Sequence, residues 1–388
     1  MGAVRIGSGL STHGDARVGA IEAAHAAGRA LAGAKADLAV VFASGAHLAA
    51  PEATLEGVHE ALRPPALIGC GAGGVLGGGA EHEAGTAVAV WAAALGDGTA
   101  TTFHATARQV DETIAVTGME SLTGARGAIL LPDPYSFPTD ALLHDLATRA
   151  PGVPVVGGLA SAGTAEGSTA LFHGDRLCEG GGAVGVRFDG VDMLPCVSQG
   201  ATPVGPEMTI TGAEGNVIAE LAGRPALDHI RETIEQLDAR ERTLVAGGLL
   251  VGLVVEPGGR PEYGHGDFLV RGLLGADPVA GTIAIAAPVR PGQVLRLHAR
   301  DAASADRDLH DQLRLRVEAL GGEPAGALAF ACHSRGRQMF GIADHDAGLL
   351  AAELGGAPSA GFFAAGEIGP VGGASFMHSF TATVALFG

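Results

Sequence analysis

Lysine is nearly absent from this 388-residue chain. Lys35 is the only one, and 24 Lys plus Arg face 42 Asp plus Glu, for a net charge of −18. Such an acidic chain repels nucleic-acid phosphates and anionic membrane surfaces, so both are set aside as partners. Cysteine is scarce as well. Cys70, Cys178, Cys196 and Cys332 lie far apart and form no C-x-x-C pair, which excludes a disulfide scaffold and a structural zinc site and predicts free thiols. No stretch reaches the roughly 18 to 20 unbroken apolar residues that cross a bilayer. The start, Met1 to Arg5, lacks a basic region followed by an apolar core, so the expected location is cytoplasmic. A G-x-x-x-x-G-K-[ST] loop and a G-x-S-x-G elbow are also missing, which removes the usual signatures of phosphoryl transfer and serine hydrolysis.

What the chain has in quantity is glycine, 63 residues, and apolar side chains, 47% of the total. With only 17% charged residues, that is the composition of a well-buried globular protein of two or three domains. The glycines are ordered. Gly69 to Gly74, Gly158 to Gly163 and Gly361 to Gly366 each read G-x-x-x-x-G, and each closes a short apolar run. The runs Leu38–Ala43, Ala128–Leu131 and Ala327–Cys332 lead through helix-like segments at 52–62, 139–149 and 346–354 to these turns. Further apolar runs then follow near Thr86–Val90, Ala183–Val186 and Phe380–Leu386. Val-, Ile- and Phe-rich runs between glycine and proline punctuation predict buried strands. The reading is an α/β fold of mixed β-sheets with flanking helices, built from duplicated strand, helix, strand, glycine turn, strand units.

Between the second and third units the rhythm changes. Val204–Ile210, Leu249–Val255, Phe268–Leu273, Thr282–Ala286 and Val294–Ala299 read as strands, with turns at 258–259 and 291–292. Residues 225–236 read as a helix with Leu227, Ile230, Ile234 and Leu237 on one face, and 238–243 as a charged surface connection. A boundary near 195–215 follows, giving modules 1–205 and 206–388. Arg296, His298 and Arg300 alternate along one strand, as a solvated sheet face or a cationic wall.

Chemistry concentrates near the end of the chain. Glu367 follows an apolar strand inside a glycine turn, where a carboxylate must be paired. Arg335, three residues past Cys332, is its expected partner, and the two either hold a ligand carboxylate or form a structural ion pair; the sequence leaves both open. Cys332 could act as a catalytic thiol, a ligand contact or a small buried hydrophobe. His333 is poorly placed to activate it, because adjacent strand residues face opposite ways. Gly69, Gly71 and Gly74 match a dinucleotide fingerprint, yet the glycine-rich stretch after them cannot supply the required helix. The clusters Asp344-His345-Asp346 and His265-Gly266-Asp267 lack metal-ligand spacing and read as solvated loops, so no metal site is expected. His378, in an apolar run, would be the ligand to test if haem were bound, and otherwise reads as a core histidine.

These runs together resemble the FIST (F-box and intracellular signal transduction) family. The resemblance rests on Phe330 to Gly336, Phe268 to Asp277, Gly361 to Gly369 and the Leu67 to Cys70 turn, and covers nearly the whole chain. It implies a stand-alone pair of N-terminal and C-terminal FIST modules with a sensory role. It further implies a small ligand, an amino acid or small carboxylate, bound in the C-terminal module, and a separate signalling protein as output partner. The ligand-contacting set it suggests is Cys332, Arg335, Arg271, Gly361, Phe362, Gly366, Glu367, Gly69 and Cys70. No catalytic residue and no obligatory cofactor are implied. The alternatives are an enzyme acting on an amino-acid-like substrate through Cys332 or Glu367, a haem-based gas sensor, and a plain protein-interaction module.

Overall fold

The computed structural model describes residues 2–110, 113–163, 169–255, 263 and 266–388. The Gly258-Gly259 turn and His265 lie outside them. Two compact units result. The first comprises Met1–Val197, Leu309–Met377 and Ala382–Gly388, and the second Ser198–Asp308 with His378–Thr381.

The chain begins with β1 (Arg5–Ser11), α1 (Ala16–Ala30), β2 (Leu38–Ser44), the short α2 (Ala46–Ala49), α3 (Pro51–Leu62) and β3 (Ala66–Gly71). A hairpin, β4 (Val75–Gly77) and β5 (Ala80–His82), then leads to β6 (Ala87–Ala94). The order recurs in β7 (Thr99–Val110), β8 (Thr113–Thr117), β9 (Gly127–Pro132), α4 (Thr139–Arg149), β10 (Val155–Gly158), the hairpin β11 (Leu171–His173) and β12 (Arg176–Leu177), and β13 (Ala183–Asp189). β14 (Met193–Gln199) precedes the second unit.

That unit holds β15 (Ala201–Glu214), β16 (Val217–Leu221), β17 (Arg224–Pro225), α5 (Ala226–Gln236), α6 (Ala239–Ala246), β18 (Leu249–Val254), β19 (Phe268–Asp277), β20 (Thr282–Ile285) and β21 (Val294–Arg300). Its strands run in the order β15-β21-β18-β19-β20-β16-β17, and α5 buries Leu227 and Ile230 against them. The charged stretch after residue 237 is a helix rather than a surface connection. Asp238 accepts from Glu241 N and the Glu241 side chain accepts from Asp238 N, a capping box that starts α6. His298 is buried against the Phe268 ring, so the alternating Arg296, His298 and Arg300 do not form a solvated face.

After α7 (Ala302–Leu320) the first unit resumes with β22 (Gly326–Cys332), the short α8 (Arg337–Phe340), α9 (His345–Glu353) and β23 (Ser359–Ala364). The hairpin β24 (Glu367–Val371) and β25 (Ala374–His378) and the last strand, β26 (Thr381–Phe387), complete it.

The sheets of the first unit run β1-β6-β2-β3-β11-β12, β25-β24-β10-β9-β13-β7-β8 and β14-β26-β22-β23-β4-β5. Each centre pairs two parallel strands, β2 with β3, β9 with β10, and β22 with β23, flanked by an antiparallel last strand. Each sheet is then extended by a hairpin from another repeat. β11 joins β3, β24 joins β10, and β4 joins β23, so the hairpins are exchanged in a ring.

The glycines explain how the parallel pairs close. Gly69, Gly157 and Gly361 stand opposite Val41, Leu130 and Ala329, and a Cβ on any of them would lie 2.1, 1.9 or 1.8 Å from the facing carbonyl oxygen. These three are therefore equivalent positions. The next residues, Phe42, Leu131 and Phe330 on the first strands and Cys70, Gly158 and Phe362 on the second, meet in one core. There Phe42, Phe330 and Phe362 pack with centroids 5.0 to 6.2 Å apart. Past the glycines the three turns converge on Ser161. Its N–H donates to Gly71 O, its hydroxyl donates to Phe363 O at 2.5 Å, and it accepts from Gly73 N.

Gly361→Ala is expected to lower stability by about 3 kcal/mol or more, since backbone faces the added methyl and cannot yield as a side chain would. Gly322→Ala, where nothing lies within 4 Å of the added Cβ, should change it by less than about 0.5 kcal/mol. Denaturant melts of the two variants provide the comparison.

Candidate functional site

Parallel strands present their carboxyl ends together, and ligands of open α/β sheets gather there. At the end of β22, Cys332 O accepts the Arg335 N–H, a tight turn that sends the Arg335 side chain inward. The guanidinium is fully buried and grips Asp346, in the first turn of α9, with two hydrogen bonds: Nε to Oδ2 at 2.7 Å and Nη2 to Oδ1 at 3.0 Å. His345 Nδ1 donates to Asp346 Oδ1 at 2.9 Å. The Phe340 ring lies flat on His345, centroids 3.4 Å apart, and the Arg335 guanidinium carbon sits 5.1 Å from the same ring. Arg335 Nη1 is buried with no hydrogen-bond partner.

Burial alone would raise the Asp346 pKa and lower that of Arg335. The contact between them outweighs it, with Arg335 and His345 holding Asp346 at about 2 and Asp346 raising Arg335. Asp346 is thus no part of a solvated loop, which corrects the reading of the Asp344-His345-Asp346 cluster. Arg335 also takes Asp346, not Glu367, as its direct partner. Glu367 contributes to the Arg335 shift only after Asp346 in size. It is fully buried at the start of β24, opposite Gly158.

Register identifies the same place in the first repeat. Counting from Val41 and Ala329, Ser44 matches Cys332 and His47 matches Arg335. There the buried pair is neutral: His47 Nδ1 contacts Thr54 Oγ1 at 3.1 Å, and burial lowers the His47 pKa. The scaffold needs a buried polar pair at this position but does not need a charged one.

The hairpin from the first repeat holds the loop around Arg335. Glu81 Oε1 accepts the Ala347 N–H at 2.9 Å, the Glu81 N–H donates to Asp344 Oδ1 at 2.7 Å, and Glu83 Oε1 accepts the Arg337 N–H at 2.9 Å. Burial, with Asp346 nearby, pushes the Glu81 carboxyl up to about 7 against the bond from Ala347. Neither glutamate stands out in the sequence. Their spacing of two in a glycine-rich stretch is the one available signal, because alternate strand residues share a face.

The other candidates lie on several elements. Cys332 Sγ lies 3.1 Å from Ser334 Oγ, while His333 Nδ1 donates to Ala364 O at 3.3 Å, so the thiol has no imidazole partner in its neighbour. Gly361 and Phe362 belong to β23, and Gly366 O accepts the Leu159 N–H. Gly69 and Cys70 are in the central core, where burial raises the Cys70 thiol. Arg271 lies on β19 of the second unit, buried, with Nη1 donating to Val270 O. His378 ends β25 and is buried. Among the described residues no three His, Cys, Asp or Glu side chains are grouped to hold a metal ion, and no helix is long and apolar enough to cross a membrane.

The model of the FIST N domain matches residues 37–224, and that of the FIST C domain matches residues 226–370. The chain belongs to the FIST family. FIST domains are associated with sensing in signal transduction. This FIST protein is 45% identical over 386 residues to the uncharacterized protein Mb0898c of Mycobacterium bovis, covering 99% of each chain. It is 45% identical over 389 residues to the uncharacterized protein Rv0628c of Mycobacterium tuberculosis, covering 99% of this chain and 100% of that one.

Two predictions follow from the charges. Asp346→Ala should cost about 3 to 5 kcal/mol in a denaturant melt, because it strands a buried guanidinium. Glu81 has the opposite sign from an ordinary ion-paired carboxylate. Its folded pKa of about 7 exceeds the ordinary 4.5, so the native state binds the extra proton between those values. Its contribution is complete below about 4.5 and is lost as pH rises toward about 7. Stability measured across that window should therefore fall more steeply in wild type than in Glu81→Gln, and parallel curves would contradict the assignment.

Proposed function

We propose that this FIST protein is a sensory protein that binds a small carboxylate, such as an amino acid, beside Arg335 in its C-terminal module. The reading keeps the expected modules 1–205 and 206–388 as sequence units, and a separate cytoplasmic signalling protein as the receiver. The observation that carries it is the Arg335 guanidinium, buried and bidentate to Asp346, with Nη1 left over. A fork of fixed donors with one nitrogen uncommitted suits a carboxylate oxygen. The neutral His47–Thr54 pair at the matching position supports a role beyond folding, since the repeat closes there without a charge.

Cys332, Gly361, Phe362, Gly366 and Glu367 belong to this proposed site as its walls. Glu367, a nearby carboxylate, favours ligands that bring an ammonium or hydroxyl group along with the carboxylate.

The experiment is a thermal-shift screen against amino acids and small carboxylates. A ligand at 100 times its Kd should add about 2.7 kcal/mol. Arg335→Lys keeps a cation opposite Asp346 and removes the fork, so the same ligand should bind it about tenfold or more weakly. Stabilisation that is equal in wild type and Arg335→Lys would move the site elsewhere, and no stabilisation by any compound in the set would remove the reading.

A further inference from the structure

The first unit contains a cavity of about 750 Å³ whose wall includes Thr102 and His104 of β7, His173 at the end of β11, and Arg176 of β12, and does not include Arg335. Nothing in the sensory reading uses it. Its depth comes from the exchange of hairpins: β7 belongs to the second sheet, while β11 and β12 extend the first. The two imidazoles face one another with centroids 6.4 Å apart.

Their hydrogen bonds fix what each can offer. His104 Nε2 lies 2.8 Å from Gly181 O, and a carbonyl only accepts, so Nε2 carries the proton and Nδ1 is the other ring nitrogen. His173 Nε2 is buried and has no hydrogen-bond partner. Arg176 is exposed at the rim, and Glu120 and Glu179 line the same opening. Three nitrogen groups able to carry positive charge therefore converge on one volume, with the exposed carboxylates of Glu120 and Glu179 at its outer edge. Burial, followed by the neighbouring His104, lowers the His173 pKa.

We propose that this cavity is a second ligand site, for a small anion carrying a phosphate or several carboxylates, with the anionic group between His104 and His173 and within reach of Arg176. Bound there, the anion draws protons onto the imidazoles, so uptake is coupled to protonation. The exposed Glu120 and Glu179 select for a hydroxyl or amino group at the outer end of the ligand and disfavour anions that are charged throughout.

Isothermal titration of the full chain near pH 6 with inorganic phosphate and, separately, with citrate tests the site, together with NMR titration of the His173 imidazole. The expected result is binding of at least one probe, an affinity about tenfold or more lower in Arg176→Ala, and a His173 pKa raised by the bound probe. Which probe binds identifies the anionic group. Arg176 is exposed, so its variant should fold, and a far-UV spectrum and melt matching wild type confirm that. Absence of binding by both probes overturns the assignment, and so does binding that leaves either the Arg176→Ala affinity or the His173 titration unchanged. Because Arg335 is untouched in these variants, either outcome is independent of the sensory reading.

Discussion

The constraint on which the first unit depends is the exchange of hairpins among its repeats. No repeat completes its own sheet: β3 is extended by β11, β10 by β24 and β23 by β4. The exchange brings the three central turns close together, and each parallel pair carries one glycine, Gly69, Gly157 or Gly361, where a Cβ would meet the facing carbonyl oxygen. It also accounts for the single inner core of Phe42, Phe330 and Phe362, which draws on strands far apart in the chain. Contacts so distant in sequence must form together, since each repeat alone leaves an apolar sheet edge uncovered.

The exchange also builds the candidate site. The turn after β22 and the start of α9 supply Arg335 and Asp346, but the hairpin that fixes the intervening loop comes from the first repeat, through Glu81 and Glu83. A buried ion pair is a poor stabiliser compared with apolar packing, so retaining one where the matching position uses His47 and Thr54 calls for a reason in function. An uncommitted guanidinium nitrogen beside it provides one. Glu81, near neutrality in its titration, ties the loop to pH through the same hairpin.

Much of the architecture was legible in the sequence. The glycine turns mark the ends of β3, β10 and β23, and the helices α3, α4 and α9 fall close to their expected limits, because apolar runs and glycine punctuation are local signals. The recurrence of the strand order was visible for the same reason. The exchange of hairpins was not, since β4, β11 and β24 are short segments whose partners are set by tertiary packing alone. The capping box at Asp238 and Glu241 went unread, because the charge of the segment reads as a surface connection. At the site, burial arguments single out Arg335 and Glu367 but pair them with each other, whereas Arg335 takes Asp346. Asp346 looked solvated because it sits among other polar residues, and only the fold shows that it begins a helix pressed against Arg335. The cavity at His104 and His173 left no mark, because its two histidines lie on strands of different sheets.

The most direct test of the account is amide hydrogen exchange at Arg337 and Ala347, compared between wild type and a Glu81→Ala/Glu83→Ala double variant. If the first repeat's hairpin holds the loop around Arg335, both amides should exchange faster in the variant while Leu350, deeper in α9, keeps its protection. Unchanged protection at Arg337 and Ala347 would contradict the claim that the exchanged hairpin assembles the site.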